Sequence, residues 1–360
     1  MTGSPSSHAA PMYRPRGLLL QWHVTERCNL RCAHCYQERY AGDELTLEQL
    51  LSILAQYEAL LDGWSGDTRE SRVPGHVTVT GGEPFVRRDF FELLEALAAR
   101  RERLSFAILS NGTLIDDDVA KRLRALRPAF VQISIDGTRE THDAIRGRGN
   151  FDRAVAALRR LRRQRVRTMI SFSASRHNFR ELPEVVRIGE ALGVDRVWTD
   201  RVIPAGSADA AQALAPHETR ELCETLATER RRVARRLFVR TEVSARRALQ
   251  FLASGEEPYH CTAGDTLITL LPNGDVHPCR RMPICVGNVL ATPLAEIYQQ
   301  NHLLQMLRDP RRESRGCERC EHAPRCRGGL RCLSHALCGD PLTADPGCWL
   351  AAPSDPPRRC

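Results

Sequence analysis

The chain has 360 residues, 42% of them hydrophobic, with a net charge of +8 and 14 cysteines. That length holds one large core or two smaller ones. No apolar run reaches the roughly 20 residues of a membrane span, and Met1 to Arg16 lacks the apolar core of a signal peptide. Among 52 basic residues only Lys121 is lysine, and aromatics make up 6%. Runs such as Arg159-Arg160-Leu161-Arg162-Arg163 therefore read as solvated helix faces, and neither a nucleic-acid nor a membrane partner is expected. Cysteine-rich and without a secretion signal, the chain is expected in the cytoplasm, with metal ligands in place of disulfides.

Strand and helix signals alternate from Leu18 to about Arg201. Leu18–Val24 predicts a strand, and Thr46-Leu47-Glu48-Gln49 a capping box. Leu47, Leu50, Leu51, Leu54 and Leu61 follow at helical spacing up to Gly63. His76–Thr80, Phe106–Ser110, Phe130–Ile135, Arg167–Ser173 and Val194–Thr199 predict five more strands. The intervening helices are expected near Asp89–Arg101, Asp116–Leu126, Asp152–Arg163 and Arg180–Leu192. Such alternation indicates a parallel sheet in an α/β fold, with sites at the C-terminal ends of the strands. An Ala- and Arg-rich helical stretch continues to about Ala253, and beyond Ser254 periodicity gives way to Cys, Gly and Pro. The expected division is a tail at 1–17, a (β/α)6 unit at 18–210, a helical linker at 211–255 and a metal-folded region at 256–360.

The first strand runs into Cys28-Asn29-Leu30-Arg31-Cys32-Ala33-His34-Cys35-Tyr36, a CxxxCxxC loop. An iron–sulfur cube takes four ligands, so three thiolates leave one iron open. A zinc knuckle with His34 as fourth ligand is the alternative; it lacks the usual second pair nearby, since the next cysteine is Cys223. Thr80-Gly81-Gly82-Glu83-Pro84 follows the second strand, with two glycines that let backbone approach a ligand. Ser110-Asn111-Gly112-Thr113 ends the third, and Ser134-Ile135-Asp136-Gly137 the fourth; each also reads as a plain turn. Arg146 carries a guanidinium fork suited to a carboxylate, or a surface charge.

In this order the motifs resemble the radical S-adenosylmethionine (SAM) enzymes and imply a partial (β/α)6 TIM-like barrel. The resemblance implies that Cys28, Cys32 and Cys35 hold a [4Fe-4S] cluster whose open iron chelates SAM, and that one electron cleaves SAM to a 5'-deoxyadenosyl radical. It further implies SAM contacts from Tyr36, Gly81, Gly82, Glu83, Ser110, Asn111, Ser134, Asp136 and Arg146, with Glu83 toward the amino group and Arg146 toward the carboxylate.

Farther on, Cys261, Gly274 and Cys279 form C-x12-G-x4-C, and Cys317, Cys320 and Cys326 form C-x2-C-x5-C, with Cys348 beyond. From Tyr259 to Trp349 this resembles the SPASM domain, which carries auxiliary [4Fe-4S] clusters. The family pattern ends in a further cysteine where this chain has Leu330; Cys332 comes two residues later. By matching order, Cys317, Cys320, Cys326 and Cys348 are the ligands of one auxiliary cluster. The other takes Cys261 and Cys279 with two of Cys285, Cys332 and Cys338, of which Cys285 and Cys332 are preferred. Should only three bind, an open iron is left for substrate. A zinc ribbon on Cys317, Cys320 and Cys326 is the alternative, and Cys223 and Cys360 read as spare thiols.

The resemblance implies an oxidoreductase that abstracts hydrogen from a peptide or protein substrate, in maturation of a ribosomal peptide or protein. Ferredoxin or flavodoxin would be the electron donor. Residues 1–17 are too few for a fused leader-peptide-binding domain, so a separate leader-peptide-binding protein is an expected partner. Arg280 stands where sulfatase-maturing relatives place an Asp, which counts against formylglycine chemistry. Two alternatives stand beside this: a small-molecule enzyme acting on a tetrapyrrole side chain, with Arg201, Arg280 and Arg281 as propionate ligands, and a non-catalytic iron–sulfur or zinc scaffold. No histidine or tyrosine is singled out as a general base.

Overall fold

The computed structural model describes residues 13–65, 72–236 and 240–351. Six parallel strands follow the predicted order: β1 (Leu18–His23), β2 (Gly75–Thr80), β3 (Leu104–Ser110), β4 (Val131–Ser134), β5 (Thr168–Ala174) and β6 (Arg196–Arg201). Between them run α1 (Leu47–Gly63), α2 (Phe90–Ala99), α3 (Asp117–Leu126), α4 (Arg139–Arg146), α5 (Asn150–Arg163) and α6 (Leu182–Leu192). Side chains alternate across each strand. One face of β1 sends Leu18, Leu20 and Trp22 into the core, where Leu50, Ile53, Leu54 and Tyr57 of α1 meet them. The predicted capping box is present: Gln49 N–H donates to Thr46 Oγ1, and Thr46 N–H to Gln49 Oε1. Burying each such aliphatic or aromatic side chain contributes about 1.5–3 kcal/mol, so the helix-facing side of the sheet carries most of the stability.

Three features depart from the sequence expectation. Helix α4, a charged eight-residue segment, precedes the expected α5 and buries only His142. The helical stretch expected to reach Ala253 stops with α7 (Pro216–Ala234); a seventh strand, β7 (Glu242–Ser244), then pairs in parallel with β6, and a short α8 (Phe251–Ser254) follows. The Cys-rich region is not built from metal ligands alone. Its strand β8 (Leu267–Leu270) pairs in parallel with β1, and β9 (Asp275–His277) and β10 (Gly287–Asn288) continue antiparallel. The result is one open ten-stranded sheet in the order β10-β9-β8-β1-β2-β3-β4-β5-β6-β7. Helices α9 (Leu294–Gln300), α10 (His302–Arg308), α11 (Ala323–Cys326) and α12 (Arg331–Cys338) complete the cysteine-rich end. No helix among the described residues is long and apolar enough to cross a membrane.

Candidate active site

The C-terminal ends of β1 to β6 converge on a cavity of about 540 Å³. Its wall includes Cys28, Cys32 and Cys35 from the loop after β1, Gly81 and Gly82 after β2, and Ser110 and Asn111 after β3. Ser134, Arg146 and Tyr36 line it too, and so does Cys279 from the cysteine-rich region. Of the predicted SAM contacts, Glu83 and Asp136 stand behind this wall, fully buried.

Close packing holds the cysteine loop. A Cβ on Gly81 would sit 2.5 Å from Thr25 O, and one on Gly82 2.4 Å from Arg27 O. The glycines let Gly82 N–H donate to Thr25 O and Glu83 N–H to Arg27 O, each at 2.9 Å, pinning the loop's entry. Its middle is tied by Asn111 Nδ2 donating to Asn29 Oδ1 at 3.0 Å, and by Ala33 N–H donating to Ile145 O at 2.9 Å. Its exit is closed by Gly206, at φ +61°, whose Cβ would lie 2.6 Å from Cys35 O; Ser207 N–H donates to that oxygen.

Glu83 Oε1 accepts from Ser110 Oγ at 2.9 Å, and Oε2 from Asn111 N–H at 2.8 Å. The carboxyl thus organises the turn that holds Asn29, and burial lifts its pKa to about 7. Asp136 accepts from Arg146 Nε at 2.5 Å and from Ser173 N–H at 3.0 Å. Arg146 is fixed so that its NH1 lies 3.9 Å from Cys32 Sγ. His34, weighed as a metal ligand, points Nε2 at Asp136 from 3.5 Å. Tyr36 lies edge-on to His23 and beneath the Arg280 guanidinium.

The donors suit an iron–sulfur cluster: three thiols on one loop, Leu30 N–H donating to Cys28 Sγ at 3.4 Å, and a guanidinium beside Cys32. Burial pushes the Cys28 thiol up to about 11, with Cys32 and Cys35 adding to the rise, so thiolates there call for a cation.

The remaining cysteines fall into two groups. Cys317, Cys320, Cys326 and Cys348 line one small, apolar cavity of about 20 Å³ beside Phe251 and Leu252. An all-thiol set of four in one cavity fits a closed cluster. Cys261, Cys279 and Cys332 pack in one apolar cluster, where burial and then the proximity of Cys279 raise the thiols of Cys261 and Cys332. Cys285 is exposed and groups with Asp275 and His277, their ligand atoms within 4.8 Å of one another. Cys338 is exposed at the end of α12, beside Asp340. Cys223 is buried on α7, and Cys360 lies outside the described residues.

The sequence reading missed the inner face of the sheet. Gln21, Thr78, Gln132, Ser171 and Trp198 line the cavity, and Trp198 Nε1 donates to Gln132 Oε1 at 2.7 Å. A signal was present: central parallel strands are normally apolar on both faces, so polar residues at alternate positions mark a face turned to a ligand.

Residues 22–188 match the profile of the Radical SAM superfamily, and residues 261–321 that of SPASM, an iron-sulfur cluster-binding domain. The chain is 32% identical over 348 residues to mycofactocin maturase MftC of Mycolicibacterium smegmatis, covering 92% of this chain and 82% of that protein. It is 29% identical over 379 residues to pre-heme d1 synthase of Dinoroseobacter shibae, covering 96% and 90%. The crystal structure of Streptococcus suis SuiB bound to S-adenosylmethionine superposes with a TM-score of 0.72 at 18% identity, over 93% of this chain and 77% of that one. A (β/α)6 core, an open cysteine loop at its mouth and a cysteine-rich end joined to the same sheet thus agree with both profiles: the chain belongs to the radical SAM superfamily and carries its SPASM domain, with [4Fe-4S] clusters and S-adenosyl-L-methionine as cofactors.

Proposed function

We propose that this enzyme abstracts a hydrogen atom from a peptide or protein substrate and oxidises it in the course of maturation. The observation that supports the proposal is Cys279, read as a ligand of the cluster on Cys261 and Cys279, lining the same cavity as Cys28, Cys32 and Cys35. Cys28, Cys32 and Cys35 hold the SAM-binding cluster. Cys317, Cys320, Cys326 and Cys348 hold one auxiliary cluster, and Cys261, Cys279 and Cys332 the other. When bound, these groups supply reductive cleavage of SAM and one-electron acceptance from the substrate. Arg146, oriented by Asp136, pairs with the SAM carboxylate. Gly81 and Gly82 bring backbone to the SAM amino acid part, and Ser134 and Tyr36 border it. Glu83, Ser110, Asn111 and Asp136 position these contacts from behind. The chain works in the cytoplasm with a ferredoxin- or flavodoxin-type electron donor.

Similarity to MftC over 92% of the chain supports the peptide substrate. A tetrapyrrole substrate is the second reading, supported by similarity to pre-heme d1 synthase over 96% of the chain. The test is 5'-deoxyadenosine formation by anaerobically reconstituted protein with SAM and dithionite, beside the variant Cys28→Ala/Cys32→Ala/Cys35→Ala. Product from the wild type alone is expected. No product at full iron load would leave a non-catalytic scaffold or a strictly substrate-gated enzyme.

A further inference from the structure

Five arginines line the cavity: Arg146, Arg201, Arg247, Arg280 and Arg281. Three already have a carboxylate. Arg146 pairs with Asp136, Arg201 with Asp345, and Arg281 with Asp200 at 2.7 Å. Arg280 and Arg247 make no ion pair among the described residues. Each instead lies over an aromatic ring: Arg280 is 5.2 Å from the centroid of Tyr36, and Arg247 is 4.5 Å from that of Trp198. Stacking fixes a guanidinium's plane while leaving its N–H edge free.

Neither guanidinium has a carboxylate as a direct partner among the described residues. Beside Arg280 stand His23 and His277, whose imidazoles carry no negative charge in either protonation state. Glu26 feels the Arg280 field but does not pair with it. Near Arg247 the carboxylate is Asp200, which feels the Arg247 charge but makes its hydrogen bonds to Arg281 through Oδ2 and to the Arg201 backbone N–H through Oδ1. Arg280 follows Cys279 directly, so its cation borders the first auxiliary site.

The geometry points to Arg247 and Arg280 as a carboxylate-recognition pair for the substrate, which therefore carries one or two carboxylates into the cavity beyond SAM. This rests on the radical SAM reading and narrows its substrate class. The carboxylates could be tetrapyrrole propionates or the acidic groups and C-terminus of a peptide. Arg201 and Arg281, grouped with Arg280 on sequence, are set aside because their terminal N–H groups are spent within the protein, both of Arg201 on Asp345 and NH2 of Arg281 on Asp200, whereas Arg146 meets Asp136 through Nε.

SAM-loaded, reconstituted protein is titrated with coproporphyrin III and with its tetramethyl ester. In parallel it is offered a pool of random hexapeptides with free C-termini and the same pool amidated at the C-terminus and at every Asp and Glu, with retained peptides read by mass spectrometry. One free acid should bind at least about tenfold more tightly than its neutral derivative, the gain expected of a charge-assisted hydrogen bond. Which acid binds identifies the source. Arg280→Gln and Arg247→Gln should each remove most of that preference without weakening the ester or amide. Arg280→Lys should restore part of it, and Arg246→Gln, exposed and outside the cavity, should retain it in full. The inference is overturned if none of the four probes binds, if acid and neutral forms bind equally, or if the preference survives the double Gln variant. Wild-type 5'-deoxyadenosine formation, measured on the same preparation, tells failure of this inference from failure of the radical SAM chemistry.

Discussion

Asp345→Asn tests how the sheet and the cysteine-rich end are joined. Asp345 is buried, and all of its acceptor capacity is in use. Oδ1 takes Arg201 NH1 at 2.8 Å and Gly347 N–H at 2.9 Å; Oδ2 takes Arg201 NH2 at 2.5 Å and Leu330 N–H at 2.8 Å. Asparagine removes the charge facing a buried guanidinium and turns one oxygen into a donor aimed at two donors. Breaking such a pair by losing one partner costs about 3–5 kcal/mol, a large share of the about 5–15 kcal/mol that holds a domain folded. With m near 3 kcal/mol/M, the urea midpoint should fall by about 1–2 M. Leu330 and Gly347 stand near Cys332 and Cys348, so iron should be lost from both auxiliary sites before Cys28, Cys32 and Cys35 lose theirs. The assay is urea unfolding of reconstituted protein by tryptophan fluorescence, with iron and sulfide content measured beside it. Asp340→Asn is the comparator, because its pair with Arg315 is exposed and worth about 0–1 kcal/mol. Equal midpoints for the two variants, with iron unchanged in both, would refute the assigned role.

Gly82→Ala should fail to assemble the SAM-binding cluster, because its Cβ would lie 2.4 Å from Arg27 O and push the loop entry away; about four irons fewer per chain is the expected readout, and a full iron load would count against the clamp. Glu83→Gln should change the pH dependence of stability. The folded-state pKa of Glu83 is raised from 4.5 to about 7 by burial, so its contribution is complete below 4.5 and is lost as pH rises through 7. That shift corresponds to about 3 kcal/mol, and the urea midpoint of the wild type should fall relative to the variant across this interval. A constant difference would show that Glu83 is not held neutral.

How much of this was legible in the sequence follows from the range of the interactions. The six βα units were readable because each announces itself within a dozen or so residues, by an apolar strand, a cap such as Thr46 or Asp116, and a helical stripe. The cysteine loop was readable for the same reason: Cys28, Cys32 and Cys35 lie on one short segment. Helix α4 escaped because its segment Arg139–Arg146 has almost no apolar face and stays helical through tertiary contacts at His142. Strands β7 to β10 escaped because two to four residues carry no periodicity, and the pairing of β8 with β1 joins Leu267 to Leu19 across most of the chain. Local pattern cannot encode such a contact.

The charges of the site show the same limit in sharper form. On sequence, Arg201, Arg280 and Arg281 are three equivalent cations. What separates them is a partner: Asp345 for Arg201, Asp200 for Arg281 and an aromatic face for Arg280. Arg247 gave no signal at all until the fold set it over Trp198 in the same cavity. Likewise spacing makes Cys285 as good a ligand as Cys332, yet the hairpin of β9 and β10 carries Cys285 toward Asp275 and His277, while α12 brings Cys332 to Cys261 and Cys279. Residue type states what a side chain can do; the long-range pairings decide which of several identical side chains is left free to do it. In this cavity the free ones are two arginines, and the chemistry still to be identified is that of the acid they face.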